Sequence, residues 1–296
     1  MISSMIYNNV LELIGKTPMV KYNESIYLKL EYFNPSSSIK DRASYSMLNG
    51  ALERGEINKD TVIIEPTSGN TGIDLAMCCA VMGLKLIICM PESMSLERRK
   101  NISAYGAELV LTPAAEGMQG SVNKAYELKK IYPNSYIPMQ FENTDNPKAH
   151  QKTAHEIFDD TEGTVDIFVA GIGTGGTAAG INKYLKELKS DVKVFGVEPA
   201  ESALFSTGIA GSHKIQGIGA NFIPKICENC SLDGILTIEG ERAINMAKKL
   251  AHNYGIFCGI SAGANASAAI DLSKQYPDKK IVTVIPDSGE RYLSVW

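Results

Sequence analysis

The feature that most constrains the fold of this chain is an alternation of short β-branched runs and helical segments that starts near residue 61. Residues 61–64 (Thr-Val-Ile-Ile) are typical of a buried strand, and residues 73–82 have helical character up to Gly83. The same order of strand and helix recurs until a last predicted strand at 281–285. This alternation predicts an α/β fold in which helices flank a mostly parallel, twisted sheet.

The loop between the first of these strands and its helix is rich in glycine and short polar side chains. It reads Glu-Pro-Thr-Ser-Gly-Asn-Thr-Gly over residues 65–72. A loop at this place presents backbone N–H groups at the positive end of a helix. The sequence therefore predicts a site for a carboxylate or a phosphate. The alternative is an ordinary turn whose Ser or Thr caps the helix.

A second glycine-rich loop, 171–177 (Gly-Ile-Gly-Thr-Gly-Gly-Thr), lies between a predicted strand and a predicted helix. Its glycine spacing, with Glu198 at the end of the next strand, matches the dinucleotide fingerprint of a nicotinamide dehydrogenase. The run 173–177 equally predicts a cup for one phosphate group, lined by backbone N–H groups and hydroxyls. The dehydrogenase is the weaker alternative, because it leaves Lys40 and the loop 65–72 without a role.

Size and composition limit the class of protein. The 296 residues suffice for one large domain or two, and 143–147 (Asn-Thr-Asp-Asn-Pro) is the best candidate for a hinge or crossover. A charged content of 21% and a net charge of −4 predict a soluble globular protein, with neither nucleic acid nor a membrane as partner. The N-terminus has no export signal, so we expect a cytoplasmic protein.

The cysteines and histidines do not predict a metal site. Cys227 and Cys230 have the spacing of a redox or zinc pair, but no second pair accompanies them, and His213 lies 14 residues upstream of Cys227. We interpret the pair as a coincidence of two thiols in one loop. Cys78, Cys79 and Cys89 lie in apolar runs and are expected to be buried thiols.

Several widely separated stretches together resemble one known family. They are Ser38-Ile39-Lys40-Asp41-Arg42, the loop 67–72, the run 173–177 and Ser261-Ala262-Gly263. In this order they resemble the fold-type II pyridoxal-phosphate enzymes, and within these the cysteine synthase (O-acetylserine sulfhydrylase) and cystathionine β-synthase family. The resemblance extends from about residue 8 to the C-terminus.

The resemblance implies that pyridoxal 5'-phosphate is the cofactor. Lys40 would hold it as a Schiff base and later take the Cα proton of the substrate. Asn70 would hydrogen-bond the phenolic oxygen of the ring, and Ser261 would face the pyridine nitrogen as a neutral partner. The phosphate would lie in the cup formed by Gly173, Thr174, Gly175, Gly176 and Thr177.

The resemblance also implies the substrate site and the reaction. The residues that would bind the carboxylate of an amino-acid substrate are Thr67, Ser68, Thr71 and Gln140, and Gly69 and Asn70 would also bind the substrate. The reaction would be elimination to an aminoacrylate, followed by addition of sulfide or a thiol at Cβ. A neutral hydroxyl at Ser261 would leave the ring a weaker electron sink, which favours quick loss of the β-leaving group.

The family fold implies two domains, each with a mostly parallel twisted sheet flanked by helices, as in the tryptophan synthase β-chain. The expected boundaries are 35–145 for a smaller, mobile N-terminal domain, and 1–34 plus 146–296 for a larger domain that binds the cofactor phosphate. Members of the family are usually homodimers. Serine acetyltransferase binds some of them, which makes it a candidate partner here.

The chain departs from the family pattern in the region of the second substrate. Asn221 lies where we expect glycine in a cysteine synthase and an acidic residue in a cystathionine β-synthase. Asn221 either positions a second substrate or only caps a turn. The helix after the carboxylate loop carries an unusual Asp74, and Thr144-Asp145 and Thr153-Ala154-His155 are unusual as well.

We therefore expect an enzyme that makes L-cysteine from O-acetyl-L-serine and sulfide. One alternative acts on L-cysteine as first substrate, releases hydrogen sulfide and adds water or a second thiol, which gives serine, lanthionine or cystathionine. The nicotinamide dehydrogenase and a catalytically silent binding partner are the less favoured alternatives. The intact Lys40 and carboxylate loop argue against the silent partner.

Overall fold

The computed structural model of the chain describes residues 6–228 and 230–295. The first five residues and Trp296, which we assigned to the larger predicted domain, and Asn229 between Cys227 and Cys230 lie outside the described residues. The described residues fall into two compact units. The first unit comprises the chain up to Lys16, Asn34–Ser36 and Lys40–Met139, and the second comprises Thr17–Phe33, Ser37–Ile39 and the chain from Gln140 onward.

The strands and α-helices of the described chain are numbered in sequence order. The strands are β1 (Met19–Lys21), β2 (Ile26–Leu30), β3 (Val62–Pro66), β4 (Lys85–Pro91), β5 (Glu108–Thr112), β6 (Ser135–Tyr136), β7 (Ile167–Gly171), β8 (Lys193–Pro199), β9 (Gly234–Ile238) and β10 (Ile281–Ile285). The α-helices are α1 (Lys40–Glu53), α2 (Asn70–Met82), α3 (Leu96–Ala104), α4 (Gly117–Ile131), α5 (Asp145–Lys148), α6 (His150–Asp160), α7 (Gly176–Leu188), α8 (Leu204–Thr207), α9 (Gly240–Tyr254) and α10 (Ile260–Gln275).

The first unit is built on a parallel sheet with the strand order β5-β4-β3-β6. Successive side chains of a strand point to opposite faces of the sheet. Accordingly, Ile63 packs in the hydrophobic cluster that contains Leu75 of α2, whereas Ile64 packs with Ala125 of α4 on the other face. Helices cover both faces, which explains why these strands are continuous apolar runs.

The second unit is built on a six-stranded sheet with the order β1-β2-β10-β7-β8-β9. Strand β1 is antiparallel to β2, and the other neighbours are parallel. Val169 of β7 belongs to the hydrophobic cluster formed with α9 and α10, and Phe168 to the cluster formed with α6 and α7. The prediction of an α/β fold with mostly parallel sheets between helices is confirmed.

The compact units divide the chain at other places than the predicted boundaries of 35 and 145. The N-terminal segment up to Lys16 groups with the first unit, because Leu11 and Ile14 pack against the hydrophobic cluster of that unit. The segment from Gln140 groups with the second unit, where the Gln140 carbonyl accepts a hydrogen bond from Asn146 Nδ2 at 2.7 Å. The predicted mobility of the smaller domain stays a prediction.

The segment 143–147, predicted as a hinge or crossover, contains the start of the short helix α5. This helix packs closely on α7, where a Cβ at Gly180 would overlap the carbonyl oxygen of Pro147. A glycine at 180 is therefore required for the contact between the two helices. None of the helices in the described part of the chain is long and apolar enough to cross a membrane.

Candidate active site

Lys40 is the first residue of α1 and is half-buried in the first unit. The loop before it turns at Ser37, whose φ of 63° is a left-handed conformation that few residues other than glycine adopt. The first turn of a helix is an unfavourable place for a cation, because the helix dipole is positive there. A lysine held at this position is therefore better explained by a chemical role than by a contribution to helix stability.

The loop 67–72 joins β3 to α2 in the same unit. Its helix begins after Gly69, which makes no side-chain hydrogen bond to the first turn. The N-cap is thus a glycine and not the Ser or Thr of the predicted alternative, although Thr67 Oγ1 accepts a hydrogen bond from Gly69 N at 3.2 Å within the loop. The loop is also fixed from outside, since Thr67 N donates to the carbonyl of Cys89 at 3.1 Å and Arg98 Nη1 donates to the carbonyl of Ser68 at 2.6 Å.

Packing of α1 on α2 brings these two features into one unit. Thr67 and Thr71 are buried, and Ser68, Gly69 and Asn70 are half-buried. The first unit thus contains an amine at the start of one helix, and an uncapped polar loop at the start of the helix packed against it.

The run 173–177 joins β7 to α7 in the second unit. Gly175 precedes the helix with a φ of 84° and makes no side-chain cap. Glycine is required at three positions, where a Cβ would overlap a neighbouring atom. These neighbours are the carbonyl oxygen of Gly217 for Gly173, Cys227 Sγ for Gly175 and Asn146 Oδ1 for Gly176. The run therefore forms a tightly packed cup whose N–H groups lie at the positive end of α7.

Two hydroxyls of this cup have defined partners. Thr174 Oγ1 accepts hydrogen bonds from Asn146 Nδ2 at 3.0 Å and from Gly176 N at 3.3 Å. Because its oxygen is engaged as an acceptor, its own O–H remains to be donated. Thr177 Oγ1 lies 3.2 Å from His150 Nε2. The cup can therefore offer backbone N–H groups and two oriented hydroxyls to an anion.

The other predicted site residues of the second unit differ in exposure. Ser261 is buried in the first turn of α10, and a Cβ at Gly217 would lie 3.9 Å from its Oγ. Gln140 is buried. Asn221 is exposed, and its side chain makes no hydrogen bond to a described residue, which leaves the turn-cap alternative without support.

The model of the family described as pyridoxal-phosphate dependent enzyme matches residues 10–287. The chain belongs to this family of pyridoxal-phosphate dependent enzymes. Cysteine synthase B of Campylobacter jejuni is 54% identical over 293 residues, which cover 98% of each chain.

Two solved structures are similar to the fold of this pyridoxal-phosphate dependent enzyme over nearly its whole length. Cysteine synthase of Entamoeba histolytica matches with a TM-score of 0.95 at 41% identity, over 99% of this chain and 91% of that one. A hydrogen sulfide-producing enzyme of Fusobacterium nucleatum matches with a TM-score of 0.93 at 47% identity, over 97% of this chain and 100% of that one. The predicted family, fold-type II architecture and cofactor are thereby confirmed.

The residues of the cup fit the phosphate of this cofactor. An uncapped helix N-terminus supplies N–H donors and a positive field, and Thr174 has a hydroxyl proton to donate. No carboxylate is among the partners of the cup threonines, so nothing repels a dianion there within the described hydrogen bonds.

Sequence reasoning missed the residues behind the cup. Asn146 and His150 are both buried, and they hold Thr174 and Thr177 respectively. His150 also lies 3.2 Å from the hydroxyl of Thr153 through Nδ1. A buried polar residue at the start of a helix is the signal that could have found them, but their partners are more than 25 residues away in the chain.

Glu198, the acidic residue of the dinucleotide fingerprint, has a structural role instead. Its carboxylate is buried and accepts hydrogen bonds from the backbone N–H groups of Phe205 at 2.8 Å and Ser206 at 2.9 Å. These bonds tie both oxygens to the start of α8, and the burial of the side chain keeps it from a ribose in solution. The nicotinamide dehydrogenase alternative therefore loses the residue that it depended on.

The thiols of the Cys227–Cys230 segment are poorly suited to metal binding. Burial, helped by the neighbouring Cys230, raises the pKa of Cys227 to about 12, and burial also raises the pKa of Cys230. A thiol must lose its proton to become a good metal ligand or nucleophile. Within the described residues, no group of three potential ligands could hold a metal ion.

Proposed function

We propose that this pyridoxal-phosphate enzyme makes L-cysteine from O-acetyl-L-serine and sulfide by β-replacement. The observation that carries the proposal is the pairing, within the first unit, of Lys40 with the uncapped loop 67–72. Such a pairing supplies a base for a Cα proton and donors for the carboxylate of the same amino acid. The similarity of the chain to cysteine synthases supports the same activity.

Each of these residues of the first unit, and Gln140, has a proposed task in this reaction. Lys40 holds the cofactor through Nζ and takes the proton from the Cα of the substrate. Thr67, Ser68, Gly69, Asn70, Thr71 and Gln140 bind and orient the substrate, with Asn70 also contacting the cofactor ring. Pyridoxal phosphate, when bound, would supply an acceptor for the electron pair that the Cα–H bond leaves behind.

The residues of the second unit have proposed tasks of their own. The cup of Gly173, Thr174, Gly175, Gly176 and Thr177 holds the phosphate, and Ser261 faces the pyridine nitrogen with a neutral hydroxyl. Acetate leaves from Cβ, and sulfide adds to the same carbon. Sulfide needs no general base, because much of it is already HS⁻ near neutral pH.

A second candidate activity uses L-cysteine as first substrate and releases hydrogen sulfide. Asn221 favours it, because an exposed amide without a structural hydrogen bond to a described residue can orient water or a second thiol. The 47% identity with a hydrogen sulfide-producing enzyme supports the same candidate. The products would be serine, lanthionine or cystathionine, according to the nucleophile that adds.

The proposal extends to assembly and location. The enzyme works as a cytoplasmic homodimer and can bind serine acetyltransferase, as members of its family do. Light scattering on the purified enzyme tests the dimer, and co-elution with serine acetyltransferase tests the partner. A monomer at micromolar concentration would contradict the first of these statements.

The experiment that tests the proposed activity compares rates of cysteine formation from O-acetyl-L-serine and sulfide. We expect the wild type to turn over and Lys40→Ala to show no measurable turnover, while the variant still retains cofactor non-covalently. Lys59→Ala is a matched control, because Lys59 is an exposed lysine of the same unit. Equal rates for wild type and Lys40→Ala would contradict the role of Lys40, and a colourless protein that binds NAD would contradict the cofactor.

A further inference from the structure

Two buried carboxyl groups meet directly behind Lys40. Asp41 follows Lys40 in the first turn of α1, and Asp74 lies in the second turn of α2; both side chains are fully buried. Ser36 joins them, since its Oγ hydrogen-bonds Asp41 Oδ1 and lies 2.7 Å from Asp74 Oδ1. Ser36 N also donates to Asp41 Oδ2 at 2.8 Å.

The hydrogen atoms in this cluster can be counted. A serine hydroxyl has one proton, so Ser36 can donate to only one of the two carboxyl groups. With both carboxyl groups ionised, the second contact would bring two oxygen lone pairs together. A proton on Asp41 or Asp74 removes this conflict, because the protonated carboxyl donates and the serine oxygen accepts.

The surroundings favour the same proton. Burial, followed by the negative charge of Asp74, holds the pKa of Asp41 well above its usual range, while the bonds from Ser36 act in the opposite direction. Cys78, one turn further along α2, also interacts with both carboxyl groups, and its pKa is raised chiefly by burial. A buried thiol of this kind stays neutral and compensates neither carboxylate.

We propose that Asp41 and Asp74 share a proton at neutral pH and that Asp74 is a positioning residue for Lys40. The shared hydrogen bonds fix the first turn of α1 on α2, and α2 follows the loop 67–72. A shift of the first turn of α1 would displace Lys40 relative to that loop.

The first test of the shared proton is the pH dependence of stability in the holoenzyme. The pKa of Asp41 is raised from the ordinary value of 3.8, so the folded state binds more protons than the unfolded state above that pH. The contribution of this group to the free energy of unfolding is therefore fully present below about pH 4. It is lost as the pH rises through the raised pKa of Asp41. One proton corresponds to a change in the unfolding equilibrium constant of about tenfold per pH unit.

We expect urea denaturation to show a larger loss of stability with rising pH in the wild type than in Asp74→Asn, because the variant removes the charge of Asp74 while Asp41 stays buried. Asp191→Asn is a matched control, because Asp191 is an exposed aspartate and loses the same charge. It should keep the slope of the wild type. Identical slopes for all three proteins would contradict the shared proton. Carbon-13 NMR of labelled aspartate carboxyls gives a second readout, in which one resonance titrates above the ordinary aspartate range and moves toward that range in Asp74→Asn.

The positioning role rests on the proposed function of Lys40 and is tested separately. Asparagine can donate a hydrogen bond as the protonated acid does, so Asp74→Asn should keep kcat within about threefold. Asp74→Ala should lower kcat about tenfold or more with a smaller change in KM. Equal kcat values for Asp74→Ala and wild type would contradict the positioning role. If Asp74→Ala does not fold, Ser36→Ala takes its place, because it removes the hydroxyl that joins the two carboxyl groups, and it should lower kcat in the same way. The denaturation and NMR results use no substrate, so they stand whatever the enzyme acts on.

Discussion

The two glycine loops of this protein have the same local form and are held in different ways. Both join a parallel strand to a helix whose N-terminus has no side-chain cap. In the loop 67–72 nothing lies within 4 Å of a Cβ at Gly69. In the cup 173–177 a Cβ at Gly173, Gly175 or Gly176 would overlap a neighbouring residue.

This difference indicates two separate reasons why a position in such a loop is a glycine, namely packing and ligand binding. The cup glycines are required for packing before any ligand binds, because protein atoms already occupy the space beside them. Gly69 has open space beside it and a conformation that other residues can adopt, so packing alone does not require it. Its proposed reason is the ligand, which would fill that space.

The largest expected effect on stability comes from Gly173→Ala. The added methyl group would overlap the backbone carbonyl of Gly217, and a backbone atom cannot move aside as a flexible side chain can. We expect the free energy of unfolding to fall by about 1–3 kcal/mol or more, as overpacking does elsewhere. Urea denaturation measures the change, and the absorbance of bound cofactor measures the accompanying loss of the cup.

The matched variant Gly69→Ala sharpens the comparison. Gly69 has φ −113° and ψ −164°, which alanine adopts without strain. The free energy of unfolding should therefore change by less than about 1 kcal/mol, because the lower entropy of the unfolded chain is offset by alanine being a poorer N-cap than glycine. The KM for O-acetyl-L-serine should rise, because the methyl group enters the proposed carboxylate site. Equal destabilisation by the two variants would mean that the loops are held in the same way.

His150→Ala tests whether the hydrogen bond between His150 and Thr177 supports cofactor binding by the cup. If Thr177 donates its hydroxyl to the phosphate, its oxygen must accept a hydrogen bond from His150 Nε2. Loss of one hydrogen bond of about 1–1.5 kcal/mol should weaken cofactor binding about five- to tenfold. His155→Ala is the control, because His155 is exposed on the same helix. Titration of cofactor into the cofactor-free variants gives the affinity of each. An unchanged affinity in His150→Ala would contradict the role of His150 in cofactor binding.

The smallest expected effect is that of Asn221→Gly. Asn221 can orient a nucleophile by hydrogen bonds but cannot take its proton at ordinary pH. Water and thiols should depend on that orientation more than sulfide does. We expect the rate of sulfide release from cysteine to fall by several-fold, and the rate with O-acetyl-L-serine and sulfide to change less. If Asn221→Gly changes both rates by the same factor, or if the wild type releases no sulfide from cysteine, Asn221 does not orient the nucleophile.

Much of the fold was predictable because its signals are local. Ile63 and Ile64 belong to a continuous apolar run, which marked a strand covered on both faces, and Gly83 marked the end of the helix that follows. The glycine loops were predictable for the same reason, since a short glycine-rich turn between strand and helix is visible in sequence.

The remaining features depend on contacts between distant residues. Asn146 reaches Thr174, and His150 reaches Thr177, across more than 25 residues of chain, and no spacing in the sequence indicates such pairs. Glu198 had the right position for a ribose, but its hydrogen bonds to the start of α8 became evident only in the fold. The hinge at 143–147 was predicted from turn residues alone, and its packing on α7 is a tertiary contact.

The central claim is that Lys40, in the first unit, is the residue that holds the cofactor. Reduction of the holoenzyme with borohydride, followed by proteolysis and mass spectrometry, tests it most directly, because the reduced cofactor stays on the lysine that held it. We expect the modification on Lys40 and on no other lysine. A modification on a different lysine, or none in a protein that contains the cofactor, would contradict it.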